Sequence, residues 1–216
     1  MDYGTTNQIL KPLPELLLPD PRWQFEHFFW PNHEPFTAEA LYDRLKFSSL
    51  NLAAPEDVRR QFETARNLML YAWFVFEFQT VAEMQAYGTL ELALRTYFKN
   101  PTRQVNTKKG VKEVPLMLSE LLTKAVTEQV LIPEQLPSWE WLKKKREWFA
   151  KQTNTPMDPF SATEWLEIIK KDLPGFRNHL AHGKPQLHLP HSLSQLELCA
   201  DLINALFPAP PDSKAT

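Results

Sequence analysis

The chain has 216 residues, 43% apolar and 12% aromatic, with a formal net charge of −2 and one cysteine. That length fits one domain with an extension or at most two small ones, and the apolar share argues against global disorder. Nineteen prolines stand against five glycines, and Gly4, Gly88, Gly110, Gly175 and Gly183 fit neither a P-loop nor a GxGxxG spacing, which excludes a glycine-lined phosphate loop. No Asn-Gly, Asp-Gly or Gly-Gly pair occurs, so hairpins are not expected. Cys199 alone supplies neither a disulfide framework nor a Cys-based zinc site. The longest near-continuous apolar stretch, residues 68–76, is far short of the roughly 20 residues of a membrane span. The start, MDYGTTNQIL, lacks a basic region followed by an apolar one, so no signal peptide is visible. A soluble, cytoplasmic protein without membrane contact is the expectation.

In chain order, residues 1–54 read as a Pro-rich arm. Pro12, Pro14, Pro19, Pro21, Pro31 and Pro35 forbid a long helix, yet Leu16, Leu17, Leu18, Trp23, Phe25, Phe28, Phe29 and Trp30 are too apolar for a free linker. The arm is therefore expected to pack on the body, with a short helix near residues 37–45. Residues 55–207 form the expected helical domain. No proline occurs between Glu56 and Asn100, and Val58, Phe62, Ala65, Leu68, Met69, Ala72, Trp73 and Phe76 recur at helical steps that continue through Val81, Met84, Tyr87, Leu90, Leu94 and Tyr97. This predicts one long central helix or two nearly collinear ones, with Gly88 bending it or allowing close packing. Residues 100–113 read as a basic loop, followed by helices near 115–130, 139–151 and 162–171. Ser161–Glu164 and Ser194–Glu197 are capping-box strings, the second opening a last helix with Cys199 on its apolar face. Residues 208–216 are expected to fray. The fold class is all-α.

The modest net charge hides an asymmetry. Residues 1–94 carry seven Lys/Arg against thirteen Asp/Glu, residues 95–151 twelve against six, and residues 152–216 five against seven. A basic middle is a footprint for a polyanion or simply an uneven helical surface. Lys143, Lys144, Lys145 and Arg146 are interleaved with Trp139, Trp141, Trp148 and Phe149; the cations are candidate RNA-phosphate contacts together with Lys108 and Lys109 of the loop (Lys112 adds to the same charge). The tryptophans can equally face the core.

Residues 172–184, DLPGFRNHLAHGK, concentrate chemistry. Pro174-Gly175 predicts a turn with a new helical run near Phe176. Arg177 offers a planar cationic fork for phosphate, and His182 a proton exchangeable near neutrality. A phosphate clamp and a general acid/base suffice for metal-free RNA cleavage, in which the ribose 2′-OH is the nucleophile. Asn178 and His182 lie four apart on one helical face, whereas Arg177 and His182 point roughly 140° apart. Either Arg177 sits in a pre-helical turn, or a second copy joins the site across a two-fold axis, or the pair is merely surface chemistry. Glu91, on the central helix, is a candidate to orient Arg177 or His182; Glu77 is a weaker one. His179 is a candidate substrate contact. A zinc site built on His179, His182, His188 and His191 lacks interleaved acidic or Cys ligands, so no metal or other cofactor is expected.

The string RNHLAHG over residues 177–183, late in an all-α chain, resembles the HEPN superfamily, which is recognised by an Arg followed four to six residues later by a His, often with Asn directly after the Arg. Arg177, Asn178 and His182 match that pattern, Gly183 follows as in many members, and residues 87–95, YGTLELALR, look like the family's central helix with Glu91 in place. The resemblance covers about residues 56–207. It implies a HEPN-like helical bundle that dimerises through the motif helices. For many members it implies a metal-independent endoribonuclease of toxin–antitoxin, abortive-infection or defence systems, with an antitoxin or operon partner. On this resemblance His182 is the general acid/base, Arg177 holds the scissile phosphate, Asn178 positions one of them, and the product is a 2′,3′-cyclic phosphate. Other members are non-catalytic binding scaffolds, and a nucleotide-binding protein is a further alternative. No Tyr follows His182, a departure from the extended motif of one toxin subgroup.

Overall fold

The computed structural model describes residues 10–23, 37–154, 160–182 and 189–209. Among them are seven α-helices and one two-stranded hairpin: α1 Ala38–Phe47, α2 Glu56–Tyr71, α3 Phe78–Tyr97, β1 Thr102–Thr107, β2 Gly110–Pro115, α4 Leu118–Thr127, α5 Pro137–Thr153, α6 Ala162–Ala181 and α7 Leu189–Leu206. The protein is mostly helical, and the hairpin corrects the all-α expectation. None of the described helices is long and apolar enough to cross a membrane.

α1 starts where the Thr37 hydroxyl accepts the Ala40 N–H at 3.2 Å, a side-chain N-cap. α2 follows Pro55, with Glu56 and Asp57 in its first turn, where carboxylates suit the helix dipole. Val58, Phe62, Ala65 and Met69 of α2 are wholly buried against α3. The long or collinear helix expected over residues 56–97 is instead a helical hairpin, because the chain turns back through residues 72–77. No Gly or Pro marks this break. It is fixed from far away: the Asp20 N–H bonds the Trp73 carbonyl at 2.8 Å, and Trp23 Nε1 bonds the Ala72 carbonyl at 2.8 Å. Carbonyls released at the helix end thus find donors in the arm. The Trp23 ring is buried against Trp73 and Phe76, with centroids 5.5 and 5.6 Å away. Arg22 bonds both Asp20 and Glu77. Burial opposes ionisation of Asp20, yet the hydrogen bonds from Arg22 hold its carboxyl below the ordinary value. The arm thus meets the body around Asp20, Arg22 and Trp23, whereas Leu16, Leu17 and Leu18, expected to pack as well, are exposed; Phe25, Phe28, Phe29 and Trp30 lie outside the described residues.

α3 is the central element, in contact with α2, α4, α6 and α7. Ala86, Tyr87, Leu90, Ala93 and Leu94 are wholly buried, as are Leu196, Cys199, Leu202 and Ile203 of α7. Gly88 neither ends α3 nor permits a close approach, since a Cβ there would meet nothing within 4 Å. α7 begins at Leu189, so Ser194 is inside it and is not its cap; Glu197 reaches Arg44 instead, at 2.6 Å.

The expected loop at 100–113 is an antiparallel hairpin in which Thr102 pairs with Pro115 and Thr107 with Gly110. Lys108 and Lys109 occupy its tip. The Thr107 hydroxyl donates to the Gly110 carbonyl at 2.7 Å, and Gly110 has φ +114°, a conformation few residues other than glycine adopt. Arg103 ties the hairpin to Glu120 of α4 at 2.6 Å. α4 is shorter than expected because residues 115–117 belong to the hairpin and its exit. Residues 210–216 of the tail lie outside the described residues.

Candidate functional site at the end of α6

α6 opens with the capping box read from the sequence: the Ser161 hydroxyl accepts the Glu164 N–H at 3.2 Å, and Glu164 accepts the Ser161 N–H at 2.7 Å. Trp165, Leu166, Ile169 and Leu173 make its buried stripe, with Phe176 and Leu180 packed against the same core. The turn expected at Pro174-Gly175 does not form. Proline removes one N–H from the ladder, but Leu173 on one side and Phe176 and Leu180 on the other keep both halves seated, and tertiary packing outweighs local propensity. Arg177 therefore lies within a continuous helix, which rules out the pre-helical turn.

Arg177 stands one turn beyond buried Leu173, so its side chain follows the core stripe toward α3. There its Nη2 meets Glu91 Oε2 at 3.3 Å. Glu91 Oε1 also accepts from Arg95 Nη2 at 2.6 Å. Glu91 is 12% exposed, Arg95 23% and Arg177 32%. One carboxylate thus holds two guanidinium groups at the surface and compensates only one, which leaves positive charge facing solvent. Asn178 Oδ1 lies 3.5 Å from Arg177 Nη1, at the limit of a hydrogen bond. Asn178, His179 and His182 are exposed. His182 is the C-cap, its backbone N–H bonded to the Asn178 carbonyl at 3.0 Å. Among the described residues no hydrogen bond joins its imidazole to Arg177. Glu77, the second acidic candidate, is taken by Arg22 at 2.6 Å and is no part of this constellation.

The remaining cations lie elsewhere. Trp139 of α5 packs on Trp165, centroids 5.4 Å apart, so α5 sits at the N-terminal end of α6. Twelve residues, about 18 Å at 1.5 Å per residue, separate Trp165 from Arg177 along that helix. Lys143 pairs with Glu140 at 2.6 Å, and Arg146 lies over the Phe160 ring at 4.5 Å; Lys144 and Lys145 are exposed. Lys108 and Lys109, by contrast, belong to a hairpin that leaves the end of α3 carrying Glu91 and Arg95. Gly183 and His188 fall outside the described residues, as does the side chain of His191. No metal-binding group of His, Cys, Asp or Glu occurs among the described residues.

Arg95 was not singled out from the sequence, although its i,i+4 spacing from Glu91 is the ordinary signal for such a pair. Also missed was a buried network between α3 and α7, in which Tyr87 and Ser192 donate to Glu83 at 2.6 and 2.9 Å. A shallow depression of about 270 Å³ bordered by Val126, Leu131, Pro133 and Leu166 contains no titratable group. Comparison with family models, curated proteins and solved structures gives no match.

Proposed function

We propose that the chain is a HEPN-type, metal-independent endoribonuclease that works as a homodimer, its two α6 ends meeting in one cleft. The observation that carries this reading is the Arg177 guanidinium, held by Glu91 beside Arg95 at the surface, next to exposed Asn178, His179 and His182. Arg177 holds the scissile phosphate by charge-assisted hydrogen bonds. His182 takes the 2′-OH proton and returns one to the leaving 5′-oxygen. Asn178 positions one of these groups, His179 supports the substrate, and Lys108 and Lys109 attract the RNA backbone. Because Arg177 and His182 diverge by roughly 140° on one continuous helix, the shared cleft pairs Arg177 of one copy with His182 of the other, which a two-fold axis provides. The RNA is an intracellular target, with an antitoxin or operon partner as regulator.

Cleavage of total RNA by the wild type and His182→Ala, side by side in chelator, tests this. The variant is expected to lose activity by about 10²–10⁴-fold while remaining folded, and the wild-type product to carry a 2′,3′-cyclic phosphate. Intact RNA with the wild type, or equal cutting by His182→Ala, would overturn the enzyme reading and leave a binding module.

A further inference from the structure

We propose that the outer face of α5 is a stacking platform for single-stranded RNA. The proposal takes its ligand class from the nuclease reading, but its residues are separate from the α6 site. The aromatic side chains of α5 divide sharply. Trp139 is 4% exposed, whereas Trp141, Trp148 and Phe149 are 52%, 52% and 59% exposed. Single exposed apolar side chains are ordinary on a protein surface; three large rings on one face of one helix are not.

At 100° per residue, Lys151, Lys144, Trp148, Trp141, Lys145 and Phe149 fall within an arc of about 160°. Trp139 lies on the other side, in the core, and Leu142, about 20° beyond Phe149, packs against the core at the border of the arc. The Lys145 ammonium stands 4.8 Å over the Trp141 ring, a cation–π contact that fixes a cation beside the ring. Lys144, Lys145 and Lys151 make no ion pair among the described residues, and exposed Glu147 stands only at the edge of the arc. The basic run therefore splits: Lys143 and Arg146 are engaged on the protein, while Lys144 and Lys145 flank the exposed rings.

This combination selects its ligand. Every base has a π-face, so rings with interspersed cations hold unpaired nucleotides without sequence preference. A duplex keeps its bases stacked away from such rings. A lipid-seeking helix keeps its Trp, Phe and Leu on one face and its Lys and Arg on the other, whereas here rings and cations share one arc, with Lys145 over Trp141. Trp141 and Trp148 are two turns apart, about 10.5 Å, so each takes a different base. Since α5 adjoins the far end of α6 from the motif, the platform binds RNA remote from the scissile bond and acts on KM more than on kcat.

The test uses full-length protein carrying His182→Ala, so that RNA stays intact, with Trp141 and Trp148 both changed to Leu or both to Phe. Anisotropy of a short labelled single strand and of a duplex of equal length reads affinity. The Leu pair, which keeps apolar bulk but has no ring, is expected to weaken single-strand binding about 100-fold. The Phe pair should stay within about threefold, and duplex binding should be unchanged by either pair. The platform is refuted if the His182→Ala protein fails to bind the single strand, if the Leu pair binds it as well as its parent, or if duplex binding falls equally. Binding to anionic vesicles that needs the rings, when RNA binding does not, also refutes it in favour of a membrane surface. A wild type that cleaves nothing but shows ring-dependent binding defeats the nuclease reading alone; cleavage with ring-independent binding defeats the platform alone.

Discussion

Glu83 and Glu91 lie two turns apart on α3, and their surroundings could hardly differ more. Glu83 is buried and receives hydroxyl hydrogen bonds from Tyr87 and Ser192. Burial, followed by the nearby Glu83 charge, pushes the Tyr87 phenol far above its ordinary pKa, so it remains a donor at any physiological pH. Glu91 instead receives two guanidinium groups, Arg95 and Arg177, at a partly exposed position. Neutral donors close a polar contact inside the α3–α7 interface, and little about it reaches solvent. Cationic donors in excess over their carboxylate keep a charge available to a ligand. A buried acid with hydroxyl partners is architecture, then, whereas an acid with surplus arginine is where phosphate chemistry is to be sought.

Truncating each acid breaks this contrast most directly. Glu83→Ala strands two donors and leaves a void, and is expected to cost about 2–4 kcal/mol of stability, with cleavage per folded molecule unchanged. Urea denaturation paired with an RNA cleavage assay measures both. Glu91→Ala should do the reverse. Its ion pairs are partly solvated and contribute about 1 kcal/mol or less, but release of Arg177 from its position should lower cleavage by about 10–100-fold. If Glu83→Ala cut activity as deeply as Glu91→Ala at equal folded fraction, the two ends of α3 would not be functionally distinct.

What the sequence disclosed follows the same line between local and distant causes. The cores of α2, α3 and α7 were legible because Val58, Phe62, Ala65, Met69 and their counterparts repeat at helical spacing. The Ser161 box was legible because both partners lie within one turn. Three features were not. The break at residues 72–77 depends on donors from the arm around Asp20 and Trp23, more than 45 residues away. Pro174 and Gly175 read locally as a turn, but burial of Leu173 holds the helix through them. The hairpin has a tip, Thr107-Lys-Lys-Gly110, without the usual Asn-Gly or Asp-Gly signal, and its anchor to Glu120 is likewise tertiary. For the site, residues 177–182 identified the chemistry to be tested. That Arg177 faces Glu91, and that Lys143–Arg146 adjoin the opposite end of α6, required the packing.

The smallest expected effect concerns a third carboxylate whose principal donor is a backbone amide. Asp201 of α7 accepts the Ser138 N–H at 2.7 Å in the first turn of α5, so one helix caps another. Burial raises its pKa, and hydrogen bonding from Ser138, whose N–H it accepts, only partly offsets this; Glu197, in the same helix, is also raised by burial against the opposing influence of Arg44. Each carboxyl therefore binds its proton more tightly in the folded chain than in the unfolded one. Their titration favours the fold fully below the unfolded carboxylate range near pH 4, and that contribution is lost as pH rises through the raised folded values. Asp201→Asn keeps an oxygen for the Ser138 N–H and removes the titration. It should therefore leave Tm almost unchanged near pH 4 and flatten the decline above it, by about 1 kcal/mol or less at pH 7. Parallel Tm–pH profiles for the two proteins would show that Asp201 titrates as it does in the unfolded chain. The cap that Asp201 places on α5 would then contribute equally across that pH range.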